Sequence, residues 1–162
     1  KILLLGAGGA TRGVVLPQLA AQPASLTIAN RTAPKAAALA QLFIDHAVQT
    51  RLDSCGLEAL GHIASTQGAF DLVINATSAS LGGEAVILPN GIIKDHGLAY
   101  DMMYGKELTP FLAAQKAAGV SHLADGLGML VEQAAVAFQL WRGILPQTQP
   151  VYEALRERLD RN

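Results

Sequence analysis

Lys1-Ile2-Leu3-Leu4-Leu5-Gly6-Ala7-Gly8-Gly9-Ala10-Thr11-Arg12-Gly13-Val14-Val15-Leu16 is an apolar run that breaks into glycines and then resumes. That pattern predicts a buried strand turning sharply into a helix. Gly6 and Gly8 can take backbone angles closed to other residues and put no Cβ in the way, so main-chain amides can approach a pyrophosphate. The first amides of the following helix lack carbonyl partners, and its dipole favours a bound anion at that end. The spelling departs from the G-x-G-x-x-G/A fingerprint, because Thr11 stands where Gly or Ala is expected and the last glycine falls at Gly13.

The chain has 162 residues, 51% hydrophobic and 15% charged, which is one domain with a large core. A net charge of −1 and no Lys/Arg run argue against nucleic acid or an acidic membrane surface as partner. The longest apolar stretches fall short of a membrane span and no leader pattern is present, so a cytoplasmic location is expected. Asn30-Arg31-Thr32 and Asn75-Ala76-Thr77 are then coincidental sequons. The single cysteine, Cys55, reads as an inert thiol, and His46, His62, His96 and His122 show no ligand spacing, so no metal is expected. Because Lys1 stands at the threshold of a strand, the chain reads as a piece of something longer whose first half is missing.

Beyond the opening, helix is expected from Ala10 to about Ala21, kinked or tightened by Pro17, and a strand over Ser25–Ala29. Thr32 is a plausible N-cap with Pro34 in the first turn of a second helix. A weak third strand is expected over Val48–Leu52 and a short helix over Leu57–Ile63. Phe70–Asn75 and Leu98–Met102 read as the fourth and fifth strands, with Gly82-Gly83 in the loop between them. Thr109-Pro110 opens a helix that Gly119 closes, Val120–Ala124 is a sixth strand, and Leu127 to Trp141 repeats at helical spacing. Pro150 starts a final amphipathic helix. Strands alternating with helices give an α/β, Rossmann-type doubly wound fold, a mostly parallel six-stranded sheet with helices on both faces.

In a dinucleotide fold an acid stands about 20 residues beyond the glycines if the ribose carries a free 2′-hydroxyl. This chain has Asn30-Arg31-Thr32 there. Arg31 offers a planar fork of donors to a 2′-phosphate, Lys35 a second positive charge one turn on, and Thr32 a hydroxyl, which selects NADP over NAD. The alternative is that Arg31 and Lys35 are solvated charges at a helix start.

Gly6-Ala7-Gly8-Gly9-Ala10, Asn30-Arg31-Thr32, Asn75-Ala76-Thr77-Ser78, Tyr100-Asp101-Met102-Met103-Tyr104 and the run from Asp125-Gly126-Leu127-Gly128 through Glu132-Gln133-Ala134-Ala135 follow one another as in shikimate dehydrogenases of the aromatic amino-acid pathway, which the chain resembles over nearly its whole length. The resemblance implies reversible reduction of 3-dehydroshikimate to shikimate with NADPH by a two-domain enzyme, residues 1–162 being its NADP-binding domain. The preceding substrate domain is absent, and the helical tail 127–162 is expected to pack back toward it.

The same resemblance implies that Gly6, Ala7, Gly8, Gly9 and Ala10 hold the pyrophosphate, and that Asn30, Arg31, Thr32 and Lys35 hold the 2′-phosphate. Thr77, Met102 and Gly126 would line the nicotinamide end, while Tyr104 and Gln133 contact substrate. On residue chemistry alone Met102 equally suits ordinary core, and Gln133 any helix flank. The family's paired catalytic Lys and Asp lie in the substrate domain, so no catalytic residue is assigned here and the fragment is expected to be inactive alone. Asp101 suits a capping or loop-fixing role. One departure is Ser80, where the family usually has a glycine two positions after Asn-Ala-Thr-Ser.

Other readings are a quinate/shikimate dehydrogenase relative, whose NAD-using members would prefer an acid in place of Asn30-Arg31, and a non-catalytic nucleotide-binding module. A methyltransferase would also want an acid there. Weak self-association through an uncovered apolar patch is expected.

Overall fold

A computed structural model of the chain describes residues 1–79 and 85–161. Six strands, β1 (Ile2–Leu5), β2 (Ser25–Asn30), β3 (Arg51–Gly56), β4 (Phe70–Asn75), β5 (Ile93–Asp101) and β6 (His122–Asp125), form one sheet in the order β3-β2-β1-β4-β5-β6. Every pairing is parallel. The helices are α1 (Gly9–Ala20), α2 (Ala33–Gln41), α3 (Leu60–Gln67), α4 (Pro110–Ala117), α5 (Leu127–Arg142) and α6 (Gln149–Arg161). Strand order reverses between β1 and β4, the point at which such sheets open a crevice beyond their carboxyl ends.

Two cores lie on opposite faces of the sheet. Ile2 and Leu4 of β1 point into one with Val15 and Leu19 of α1 and Ala36 and Leu39 of α2. Leu3 and Leu5 point into the other with Leu60, Phe111 and Leu112. The alternation along four consecutive apolar residues is what a central strand covered on both sides requires.

Several element boundaries differ from those the sequence predicts. β3 spans Arg51–Gly56 rather than 48–52, and Val48 is exposed outside it. As an edge strand, β3 lacks the apolar pattern of the interior strands, and its register is set by pairing with β2, Ser25 opposite Arg51 and Asn30 opposite Gly56. The Leu57–Ile63 helix is a 3-10 turn over Leu57–Ala59 followed by α3. β5 begins earlier than expected, at Ile93, beside an irregularity at Phe70–Leu72. β6 is shifted to His122–Asp125.

α1 continues through Pro17, which is exposed near its end, and ends at Ala20; the chain then turns before Pro23 at Gln22, whose φ is +51°. Thr32 occupies the N-cap of α2 but its side chain makes no capping bond. Thr109 does cap α4, accepting from the Leu112 amide at 3.3 Å, and Gly119 leaves that helix at φ +91°. Ser80, Gly82 and Gly83 lie outside the described residues.

Candidate cofactor cleft

The turn from β1 to α1 forms the floor of a cleft of about 840 Å³ at the carboxyl ends of the central strands. Gly6 has φ +105°, a conformation L side chains rarely adopt, and a Cβ there would meet the Ala76 carbonyl oxygen at 3.1 Å. Its amide donates to the Ala29 carbonyl at 2.8 Å, and the Ala76 amide to the Leu5 carbonyl at 2.9 Å, tying the turn to β2 and to the end of β4. Gly8 and Gly9 differ from Gly6. Both are exposed, and a Cβ on either would meet nothing within 4 Å. No internal packing demands their lack of a side chain, so its effect is to leave the cleft floor open at the N-terminus of α1. Residues present therefore fit a phosphate-bearing ligand, with bare backbone, free helix amides and open volume in one place.

Thr11, standing where the fingerprint has Gly or Ala, is fully buried under the turn, and its Oγ1 has no hydrogen-bond partner among the described residues. Gly13 is exposed with nothing within 4 Å of a Cβ, so it does not take over the close-packing role of the missing glycine.

Of the residues the sequence singles out, Gly6, Ala7, Gly8, Gly9, Ala10, Asn30, Arg31 and Thr77 line this cleft together. Asn30 Nδ2 donates to the Thr32 carbonyl at 3.1 Å, shaping the turn that presents Arg31. Arg31, Thr32 and Lys35 are exposed; Thr32 and Lys35 stand beside the cleft on α2 and its cap rather than in its lining. Leu57 also lines the cleft and escapes the sequence reading, because a third strand ending at Leu52 would leave it far from the sheet's carboxyl edge. The register of β3 brings it there.

The other end of the site is built from the carboxyl ends of β4, β5 and β6. Thr77 is fixed by Asn75, whose Oδ1 accepts from Thr77 Oγ1 at 2.7 Å and from its amide at 3.2 Å. Asp101 is completely buried; its Oδ1 accepts from Asn75 Nδ2 and from the Met103 amide, each at 3.1 Å, and its Oδ2 from Thr109 Oγ1 at 2.5 Å. That is the loop-fixing role expected of it. Met102 is half-buried against the core on the α1 side, and its amide donates to the Asn75 carbonyl at 3.0 Å. Gly126 is buried and its amide donates to the Met103 carbonyl at 3.0 Å. Tyr104 and Gln133 are exposed.

Arg156 is a further residue with no local signal in the sequence. From α6 its guanidinium donates to both oxygens of Asp125, at 2.7 and 2.8 Å, and to the Gly105 carbonyl at 3.1 Å. The hydrogen bond to Asp125 holds its pKa above the ordinary arginine value. Burial, with Asp125 and Asp101 nearby, raises that of Tyr100. Among the described residues no three His, Cys, Asp or Glu side chains gather as a metal site would.

Comparison with known proteins finds that a family model described as shikimate/quinate 5-dehydrogenase matches residues 1–94, and one described as the shikimate 5′-dehydrogenase C-terminal domain matches residues 126–156. The chain is 56% identical over 161 residues to a shikimate dehydrogenase (NADP(+)) of Aromatoleum aromaticum, covering 99% of this chain and 56% of that protein. Among solved structures, an Ael1 enzyme from Pseudomonas putida superposes with a TM-score of 0.82 at 49% identity, over 96% of this chain and 54% of that one. The shikimate 5-dehydrogenase of Thermus thermophilus, solved with shikimate, gives 0.73 at 35% identity, over 98% and 54%. The chain thus spans about half the length of the relatives it matches.

Proposed function

Because the chain belongs to the shikimate/quinate 5-dehydrogenase family, we propose that it is the NADP-binding domain of a shikimate dehydrogenase, one that interconverts 3-dehydroshikimate and shikimate in aromatic amino-acid biosynthesis. The observation that carries this reading is the cleft in which the open glycine turn and Arg31 meet, with Asn30-Arg31 where an NAD site would place an acid. The NADP(+) in the name of the Aromatoleum relative supports the same cofactor.

Gly6 to Ala10 hold the pyrophosphate on backbone amides and the α1 dipole. Arg31, with Asn30, Thr32 and Lys35, holds the 2′-phosphate. Thr77, Met102 and Gly126 flank the nicotinamide, and Tyr104 and Gln133 offer a phenol and an amide to a substrate rich in hydroxyls. When bound, the cofactor supplies the hydride that converts a ketone to a secondary alcohol. The chain's own part is to orient it and exclude water from one wall; the proton donor belongs to a preceding substrate domain, which the length of the relatives leaves room for.

The tail 127–162 is the surface assigned to that domain: Leu140 and Trp141 at the end of α5 are 81% and 80% exposed, with Ile144 and Leu145 exposed beyond them. Weak self-association through this strip is expected when nothing covers it. A cytoplasmic location belongs to the same reading; among the described residues no helix is long and apolar enough to cross a membrane.

Calorimetric titration of the chain with NADP and with NAD tests the reading. NADP is expected to bind tighter by roughly ten- to a hundred-fold, the worth of a charge-assisted contact of about 1.5–3 kcal/mol, and Arg31→Ala removes most of the difference. Equal affinities in the unmutated chain would overturn it. Shikimate-dependent NADPH formation is expected only once the substrate domain is supplied.

A further inference from the structure

Two loops carry Met102, Tyr104 and Gly126, three of the residues assigned to the nicotinamide and substrate end. One leaves β5 with Met102, Tyr104 and Gly105; the other leaves β6 with Asp125 and Gly126. Each leaves its own strand, and a backbone bond from the Gly126 amide to the Met103 carbonyl joins them. Arg156 reaches both from a third element 31 residues beyond Asp125. Its Nη2 forks onto the Asp125 carboxylate while Nη1 bonds the Gly105 carbonyl. The Asp125 side chain passes the constraint on, since its Oδ1 also accepts from the Leu127 amide at 3.2 Å, at the start of α5 directly after Gly126. The pair is largely sheltered, with 27% of the Arg156 and 16% of the Asp125 side chain exposed, and the Tyr152 ring lies 5.8 Å from the guanidinium carbon. Two nitrogens of one guanidinium thus hold two loops at once, Nη2 on the carboxylate and Nη1 on the carbonyl, in a pair more sheltered than a surface ion pair.

We infer that Arg156 is a positioning residue that sets the spacing between the Met102–Gly105 loop and the Asp125–Gly126 turn, and so orders the nicotinamide end of the site without touching the adenosine end. The inference rests on the NADP reading above. The two ends are anchored independently: Arg31 and the glycine turn belong to β1, β2 and their helices, whereas Arg156 hydrogen-bonds to the loop after β5 and to the last residue of β6.

The test compares two ligands on the chain. 2′,5′-ADP carries the adenosine and 2′-phosphate groups without nicotinamide; NADPH carries both and reports its ring environment by fluorescence. Arg156→Gln is expected to leave 2′,5′-ADP affinity within about twofold, to weaken NADPH about tenfold, and to abolish the change in nicotinamide emission on binding. Arg156→Lys should restore only part of this, because a single ammonium nitrogen can replace Nη2 on the carboxylate but cannot also reach the Gly105 carbonyl as Nη1 does. If Arg156→Gln does not fold, Asp125→Asn, which keeps an oxygen for the Leu127 amide but removes the charge, gives the same split. Equal weakening of both ligands, or weakening of neither, overturns the positioning role alone. No 2′,5′-ADP binding by the unmutated chain overturns the NADP reading and this inference with it.

Discussion

Gly126 lies so close to Met102 that a Cβ on it would overlap the Met102 carbonyl oxygen. Its φ of −77° is open to any residue, so space rather than backbone conformation demands glycine here. Gly126→Ala must push apart the loops after β5 and β6. A loss of about 1–3 kcal/mol is expected from urea unfolding, the usual cost of overpacking, together with weaker NADPH binding at unchanged 2′,5′-ADP affinity. Unaltered stability would show that the Met102 loop yields freely.

Asp101 organises the same region from beneath. Its carboxylate receives the Asn75 amide, the Met103 amide and the Thr109 hydroxyl, and Thr109 in turn caps α4. Asp101→Ala removes the acceptor shared by these donors inside a fully buried site, which costs about 1.5–3 kcal/mol or more. The expected signs are a lower urea midpoint with an unchanged m-value and faster hydrogen exchange at the Met103 and Leu112 amides. Loss of midpoint without added exchange there would place the damage elsewhere.

Legibility in the sequence depends on which forces are local. β1 is readable because it is central, and Ile2 to Leu5 must be apolar on both faces. Arg31 is readable because a fixed spacing after the glycines puts it at the end of β2. β3 is misplaced because an edge strand needs few apolar residues, and Asp53 and Ser54 are tolerated there by pairing with Thr27 and Ile28. That error hides Leu57. Arg156 is hidden differently: its partners are 31 and 51 positions away, and the periodicity of α6 marks it only as one charge among several off the apolar stripe.

Cys55 is half-buried at the end of β3, and burial, followed by the Glu58 and Asp53 carboxylates, raises its pKa. Thiolate is the reactive form, so alkylation at pH 8 should be slower than for a free cysteine. Glu58→Gln should quicken it, though not to the rate of the urea-unfolded chain, because burial is the larger cause. The sign for stability is that the native state holds its proton longer. This contribution is intact below the ordinary thiol pKa of about 8.5 and is lost as pH rises through the higher folded value. Iodoacetamide rates against pH check both statements, and a native rate matching the unfolded one at pH 8 would contradict them.

Thr11 holds a hydroxyl under the glycine turn, fully buried and without a hydrogen-bond partner among the described residues. Its Oγ1 lies 3.3 Å from where a Cβ on Gly6 would stand, so the shape of the side chain fills the volume that the bare Gly6 backbone leaves. Shape and polarity can be separated here. Valine keeps the branched outline and removes the oxygen, and deleting an unsatisfied buried polar atom recovers desolvation that an unpaired hydroxyl forfeits, about 1 kcal/mol or more. Thr11→Val should therefore leave the urea midpoint unchanged or raise it. Thr11→Ala, which also removes the methyl group and opens a cavity beneath the turn, should lower it. Binding of 2′,5′-ADP is the second readout, because the backbone that Thr11 supports is the pyrophosphate cradle: the valine variant should bind as the unmutated chain does, and the alanine variant more weakly as Gly6 loses its support. A Thr11→Val variant less stable by more than about 1 kcal/mol would mean that the hydroxyl is paired in solution, and that position 11 is held by a hydrogen bond rather than by packing.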